Sequence, residues 1–149
     1  MATVLLDVSA SSKEWFKDAL DEMSKAKNVK FLYTDQPKYR NEIARVFALA
    51  QFLKLMAQKG RRVDVDAREC QEYIDNLERN PKWTGSGACD DPHLFAMVAL
   101  KPTRYIFTDE HRISKCRGCM VATHAQMCAF KAIRTQAVYK KHRSRIFKA

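Results

Sequence analysis

Asp7 closes an otherwise apolar run, Thr3–Val8 (TVLLDV). A carboxylate there must be paired or bound to a cation to offset its partial burial. Asp90 and Asp91 open a second apolar stretch, HLFAMVAL, and Asp109 and Glu110 follow a third, Arg104–Phe107 (RYIF). Glu42 stands in the first turns of a helical segment after Pro37. Singly, each has an ordinary use as a cap, a turn residue or a solvated helix position. Gathered at one end of a sheet, they would repel one another unless hard cations neutralised them, and oxygen-only ligands suit Mg²⁺ or Mn²⁺. Hydrolysis of a phosphate ester is one chemistry open to metal-held carboxylates. Two ions about 4 Å apart can stabilise both the attacking and the leaving oxygen.

A second group of residues has metal-ligand spacing. Cys116 and Cys119, then His124 and Cys128, form C-x2-C-x4-H-x3-C. His124 and Cys128 would share one helix face, Gly118 permits a tight turn between the first pair, and a Cys3His zinc site is geometrically possible. The alternative is that these cysteines pack as small hydrophobes. Five cysteines without a signal-peptide pattern point to a reducing, cytoplasmic setting.

The elements that must position the acids follow from periodicity and punctuation. Thr3–Val8 and Val29–Tyr33 are predicted strands. Ser11 and Glu14 make a capping-box pattern for a helix that turns Trp15, Phe16, Ala19, Leu20 and Met23 inward. Pro37 can open a long helix to about Lys59, stopped by Gly60. Val63–Val65 is ambiguous between strand and loop. Asp66 can cap a helix over Ala67–Arg79, Asn80–Cys89 is predicted to be a loop, and Asp90 or Asp91 caps the helix before strand RYIF. A final helix is predicted from about Thr123 to Tyr139. Strands separated by helices imply a parallel sheet with helices on both faces, and ligands then gather beyond the strands' C-terminal ends.

Four blocks, LLDVSA (Leu5–Ala10), NEIARVF (Asn41–Phe47), DDPHLFAMVA (Asp90–Ala99) and YIFTDEHRI (Tyr105–Ile113), stand in the order and approximate spacing of the PIN-domain nucleases. The chain resembles that family over about residues 3 to 116. The resemblance implies a three-layer α/β/α sandwich with a central, mainly parallel sheet, followed by a basic C-terminal helix. It implies an endoribonuclease using Mg²⁺ or Mn²⁺ and leaving 5′-phosphate and 3′-hydroxyl ends, as in VapC-type toxins or RNA-processing members. By position, Asp7 matches the first metal-binding Asp, Ser9 the small hydroxyl residue beside it, Glu42 the helix Glu, and Asp91 the third acid. The family's Thr-x-Asp departs here to Thr108-Asp109-Glu110, so that spacing to Ile113 favours Glu110 and side-chain type favours Asp109. Arg45 and Arg112 are candidates to stabilise charge in the transition state, and Lys38, Tyr39 and Arg40 to line groove walls.

Charge supplies the partner. Of 27 basic residues, ten lie between His111 and Ala149, where there is no Asp or Glu, so the first 110 residues are neutral and the whole excess of +10 sits on the last quarter. This suggests a polyanion, most often nucleic acid. Lys140, Lys141, Arg143 and Arg145, interleaved with aromatics in YKKHRSRIFK, are candidate RNA contacts. Phe130, Ile133, Ala137 and Val138 would dock that helix. A domain over 1–116 and a helical extension over 117–149 are expected. A toxin role would add an antitoxin or other regulatory protein as partner. Phe47, Leu49, Phe52, Leu53 and Met56 offer apolar area for a homo-oligomer. No apolar run reaches the roughly 20 residues needed to span a bilayer, so no membrane association is expected. Two further classes remain open: a non-catalytic RNA-binding protein on a degenerate PIN fold, and a zinc-containing interaction module.

Overall fold

The computed structural model describes residues 2–84, 90–101, 103–113, 116 and 130–148. In chain order it contains β1 (Ala2–Leu6), a 3-10 turn (Val8–Ser12), α1 (Glu14–Ser24), β2 (Val29–Thr34), α2 (Pro37–Ala44), α3 (Phe47–Gln58) and β3 (Arg62–Val65). Then follow α4 (Ala67–Glu78), α5 (Pro81–Thr84), α6 (Pro92–Leu100), β4 (Tyr105–Phe107), β5 (Lys131–Ile133) and α7 (Gln136–Lys148). The five strands form one sheet in the order β3-β2-β1-β4-β5, parallel at every junction. Near-continuous apolar runs such as VLL and YIF are what strands covered on both faces require.

Register fixes the layers. Val4 is in register with both Phe31 and Tyr105, so the three side chains share a face. On that face Phe31 meets Phe52 of α3 edge-on at 5.0 Å, Tyr105 lies 6.0 Å from His142 of α7, and Phe107 lies 6.3 and 6.1 Å from Trp15 and Phe16 of α1. Leu5 and Ile106, paired with each other, point to the opposite face. That face belongs to α4 and α6, which pack on each other. Every residue of α6 from Pro92 to Val98 is buried, as a helix apolar on all sides demands. The arrangement is α/β, with an all-parallel central sheet, compatible with a three-layer sandwich. No helix among the described residues is long and apolar enough to cross a membrane.

Local signals account for most boundaries. Asp66 caps α4 by accepting from the Glu69 amide at 2.9 Å, and Gln36 caps α2 by accepting from Tyr39. Gly60, at φ 69°, ends α3 in a Schellman arrangement: its amide donates to Ala57 O and that of Arg61 to Met56 O. Several expectations are corrected. Ser11 does not cap α1, because its hydroxyl donates to Val8 O inside the 3-10 turn and Lys13 takes the cap position. The helix expected over Pro37–Lys59 is two helices, broken where Arg45 and Val46 donate to Glu42 O and Ile43 O and Val46 turns extended. Val63–Val65 belongs to a strand, β3. Pro81–Thr84, inside the expected loop, is a helical turn, with Trp83 buried 5.5 Å from Phe95.

The C-terminal region differs most. Lys131–Ile133, predicted as helix, is the edge strand β5, and α7 starts only after Thr135, whose hydroxyl accepts from the Val138 amide. The buried stripe of α7 is Tyr139, His142 and Ile146 rather than Ala137 and Val138. Phe130 is buried beside Phe95 and Ile133 lies within the sheet. Strand β5 and helix α7, beyond the expected boundary at 116, thus complete the same sheet and helical layer. Leu49, Leu53 and Met56 are spent in the core and Phe52 on Phe31, leaving Phe47 and Leu55 as the large exposed apolar side chains of α3.

Candidate functional site

The chain runs outward from β1 through β2 to β3, then returns to build β4 and β5 on the other side of β1. The order reverses between β1 and β4, and such a switch point opens a crevice beyond the strands' C-terminal ends. Asp7 and Thr108 are the residues that leave those two strands. Asp7 is 4% exposed and its amide donates to Phe107 O at 2.8 Å. It holds the cap position of the 3-10 turn without using its carboxylate as a cap. Instead Oδ2 accepts from Ser9 Oγ at 2.5 Å and Thr108 Oγ1 at 2.8 Å. Those hydroxyls lie 3.1 Å apart, and they accept in turn from the amides of Asp109 (2.9 Å) and Glu110 (3.1 Å). Two side-chain oxygens therefore tie Asp7 to the loop after β4, and Oδ1 takes no part in the network.

Helices α2 and α6 bring the next acids. Asp91 holds the cap position of α6, yet its side chain makes no cap bond. Lys38 reaches across from α2, with Nζ 3.5 Å from Asp91 Oδ1 and donating to Asp90 O at 2.6 Å. Glu42, one turn along α2, is half-buried with Oε2 3.4 Å from Nε2 of the fully buried His93. That contact falls short of a hydrogen bond, and neither ring nitrogen of His93 makes one. Burial, reinforced by the nearby Asp7 and Asp90 and opposed by His93 and Lys38, lifts the Asp91 carboxyl above the ordinary range. Burial also pushes the Glu42 carboxyl up, but His93, Lys38 and Arg45 outweigh it and hold that group below its usual value. Glu42, Asp91 and His93 each bring one ligand atom within 4.8 Å of the others. A second such set, Asp90, Asp91 and Glu110, shares Asp91.

The expected acids are not all gathered equally. Glu110 is clasped by Arg112, whose Nε and Nη2 donate to it at 2.8 and 3.0 Å and whose amide adds a third bond; these hold its carboxyl down to about 2. Arg112 also bonds Asp90 at 2.7 Å, so Arg112 braces the acids on this side. Asp109 turns away to Lys13 at 3.6 Å. Between the two, the structure brings Glu110 to the cluster. Asp7 sits outside both three-residue sets, though near enough for its charge to act on Asp91.

No protein-family model, curated protein or solved structure matches this chain.

Other expected contacts fall elsewhere. Tyr39 is no groove wall: it is buried, and its hydroxyl donates to Leu6 O at 2.9 Å, bracing the end of β1. Arg45 is exposed one turn beyond Glu42. Helix α7 descends away from the acidic end, since Tyr139 lies 5.9 Å from Phe107, His142 lies 6.0 Å from Tyr105, and Phe147 O accepts from Asn28 just before β2. Lys140, Lys141 and Arg145 are exposed, and Arg143 is paired with Glu22. Of the four expected zinc ligands, Cys119, His124 and Cys128 lie outside the described residues. Cys116 is buried. Sequence reasoning missed His93, which disappears into the apolar run HLFAMVAL; the available signal was its place two residues after Asp91.

A divalent ion fits this donor set. The Asp7 and Asp91 carboxylates are not consumed by the caps their positions suggest, and a buried imidazole beside Glu42 makes no hydrogen bond.

Proposed function

We propose that this chain is a divalent-metal-dependent endoribonuclease of the PIN type. The observation that carries the reading is the set of half-buried and buried carboxylates, Asp7, Glu42 and Asp91, around the end of β1 at the switch point of a parallel sheet. The four sequence blocks support it, as does the helix-flanked parallel sheet that the resemblance implies.

Asp7, Glu42 and Asp91 would hold the ion, with Glu110 at the Asp90–Asp91 side. When bound, Mg²⁺ or Mn²⁺ supplies charge neutralisation for an anionic phosphodiester and a water of lowered pKa. The protein's own contribution is placement. Ser9 and Thr108 fix Asp7 by donating to one oxygen, leaving the other for a ligand. Lys38, beside Asp91, presents a cation to an approaching phosphate. Arg112 keeps Glu110 ionised and turned toward Asp90 and Asp91. RNA is the favoured polyanion because of the family blocks and the basic last quarter of the chain.

The test compares wild type with Asp7→Asn and Asp91→Asn in two assays, metal-dependent cleavage of a structured RNA and RNA binding in EDTA. Cleavage lost by about 10²-fold or more with binding intact is the expected result, in line with removing a group that holds the reacting charge. Equal cleavage by wild type and variants would overturn the assignment. Binding without cleavage by wild type would make the protein an RNA-binding module on this fold.

A further inference from the structure

His93 stands in the apolar helix α6 with every neighbour from Pro92 to Val98 buried. Its side chain is fully buried with neither ring nitrogen hydrogen-bonded, a costly state that buried polar groups ordinarily avoid. The surroundings give no apolar reason for a histidine there, because a Leu or Phe would continue the run HLFAMVAL without that cost. Nε2 lies 3.4 Å from Glu42 Oε2 without forming a hydrogen bond to it. Two ligands on a shared ion stand about 3.0–3.4 Å apart when metal–ligand bonds of about 2.1 Å meet at octahedral to tetrahedral angles, and the observed spacing lies at the upper end of that range. Asp91 supplies a third donor within 4.8 Å of both. Tyr39, its ring 6.2 Å from His93, walls the imidazole on one side.

We infer that His93 is a nitrogen ligand of a divalent ion held together with Glu42 and Asp91, which makes the centre select a first-row transition ion such as Mn²⁺ over Mg²⁺. The inference rests on Glu42 and Asp91 being the metal ligands proposed above, and not on RNA being what the protein cleaves. An all-carboxylate centre would suit Mg²⁺ equally well, whereas imidazole is a poor partner for that ion and a good one for softer divalent metals. Glu42 and His93 come from different helices, α2 and α6, so an ion between them would also pin those helices together at the crevice.

The experiment uses the full chain and MnCl2 or MgCl2 as probes. Pulsed electron paramagnetic resonance of the Mn²⁺-loaded wild type should show modulation from a directly bound nitrogen. Its absence overturns the inference without requiring any variant to fold. Affinities from calorimetry should favour Mn²⁺ over Mg²⁺ by about tenfold or more. His93→Gln should lose the nitrogen signal and about 10–100-fold in Mn²⁺ affinity while changing Mg²⁺ affinity by less than about threefold. Equal loss for both ions would mean that His93 only supports the packing, and would overturn its role as a ligand. The outcomes separate from those of the nuclease reading. A nitrogen signal without RNA cleavage leaves the metal centre standing and removes the nuclease; cleavage that needs Asp91 but shows no nitrogen signal does the reverse.

Discussion

Thr108→Val removes a hydroxyl without changing the shape of the side chain, at a position with no exposed surface. That hydroxyl donates to Asp7 Oδ2 at 2.8 Å and accepts from the Glu110 amide at 3.1 Å. A hydrogen bond to a charged group is worth about 1.5–3 kcal/mol, and the second, neutral bond about 1 kcal/mol. The variant should therefore lose about 2–4 kcal/mol, or roughly 5–15 °C in Tm for a chain of this length. Ser9→Ala removes the other donor to the same oxygen from a more exposed site, where water can replace it, and should cost about 1 kcal/mol. Because the two hydroxyls are 3.1 Å apart and share Asp7, the double variant should depart from additivity by about 0.5 kcal/mol or more. Urea unfolding of the four proteins, at one pH and without metal, gives the cycle. A Thr108→Val variant within about 0.5 kcal/mol of wild type, or strictly additive losses, would refute the view that these hydroxyls hold Asp7 to the loop after β4.

Three further outcomes follow from other parts of the molecule. Arg61 donates to Met23 O, Ser24 O, Ala26 O and Val29 O, closing the end of α1, and Arg61→Ala should cost about 3–5 kcal/mol by urea unfolding; Arg61→Lys, which cannot serve four carbonyls, should restore only part of that. Burial raises the Glu22 carboxyl, but the Tyr139 hydroxyl and Arg143 outweigh it and hold the group below its ordinary 4.5. Its stabilising effect is thus present above that value and is lost as pH falls through the lower folded value. Glu22→Gln should accordingly melt below wild type at pH 7, with the gap closing on acidification in a thermal scan. Replacing Lys140, Lys141 and Arg145 by Gln should lower the slope of log affinity for single-stranded RNA against log salt by about 2 if all three meet phosphates; an unchanged slope would remove α7 from the RNA surface.

How much of this was visible in the residues depends on chain length and burial. Strands β1 and β2, the Asp66 cap and the Gly60 stop were legible because each is a local signal: an apolar run, an Asx cap, a residue tolerant of positive φ. The break at Arg45–Val46 was not, since no Gly or Pro marks it and both halves keep helical spacing of apolar residues. What ends α2 there is packing, with Tyr39 and Ile43 turned into the core before Leu49 and Leu53 take over. Strand β5 is three residues in a basic segment, and only pairing with β4 makes Lys131–Ile133 a strand. At the site, Asp7, Glu42 and Asp91 could be named from type and position. The division between Asp109 and Glu110 could not, because it turns on which side chain Arg112 and Lys13 capture. His93 was hidden for a related reason, as its significance lies in what fails to bond to it.

The central claim is best tested by incubating the purified chain with total cellular RNA in MnCl2, in MgCl2 and in EDTA. Discrete fragments bearing 5′-phosphate ends, formed with divalent metal and absent with EDTA, are the predicted result. Intact RNA under every condition, from protein shown by calorimetry to bind Mn²⁺, would contradict the nuclease assignment.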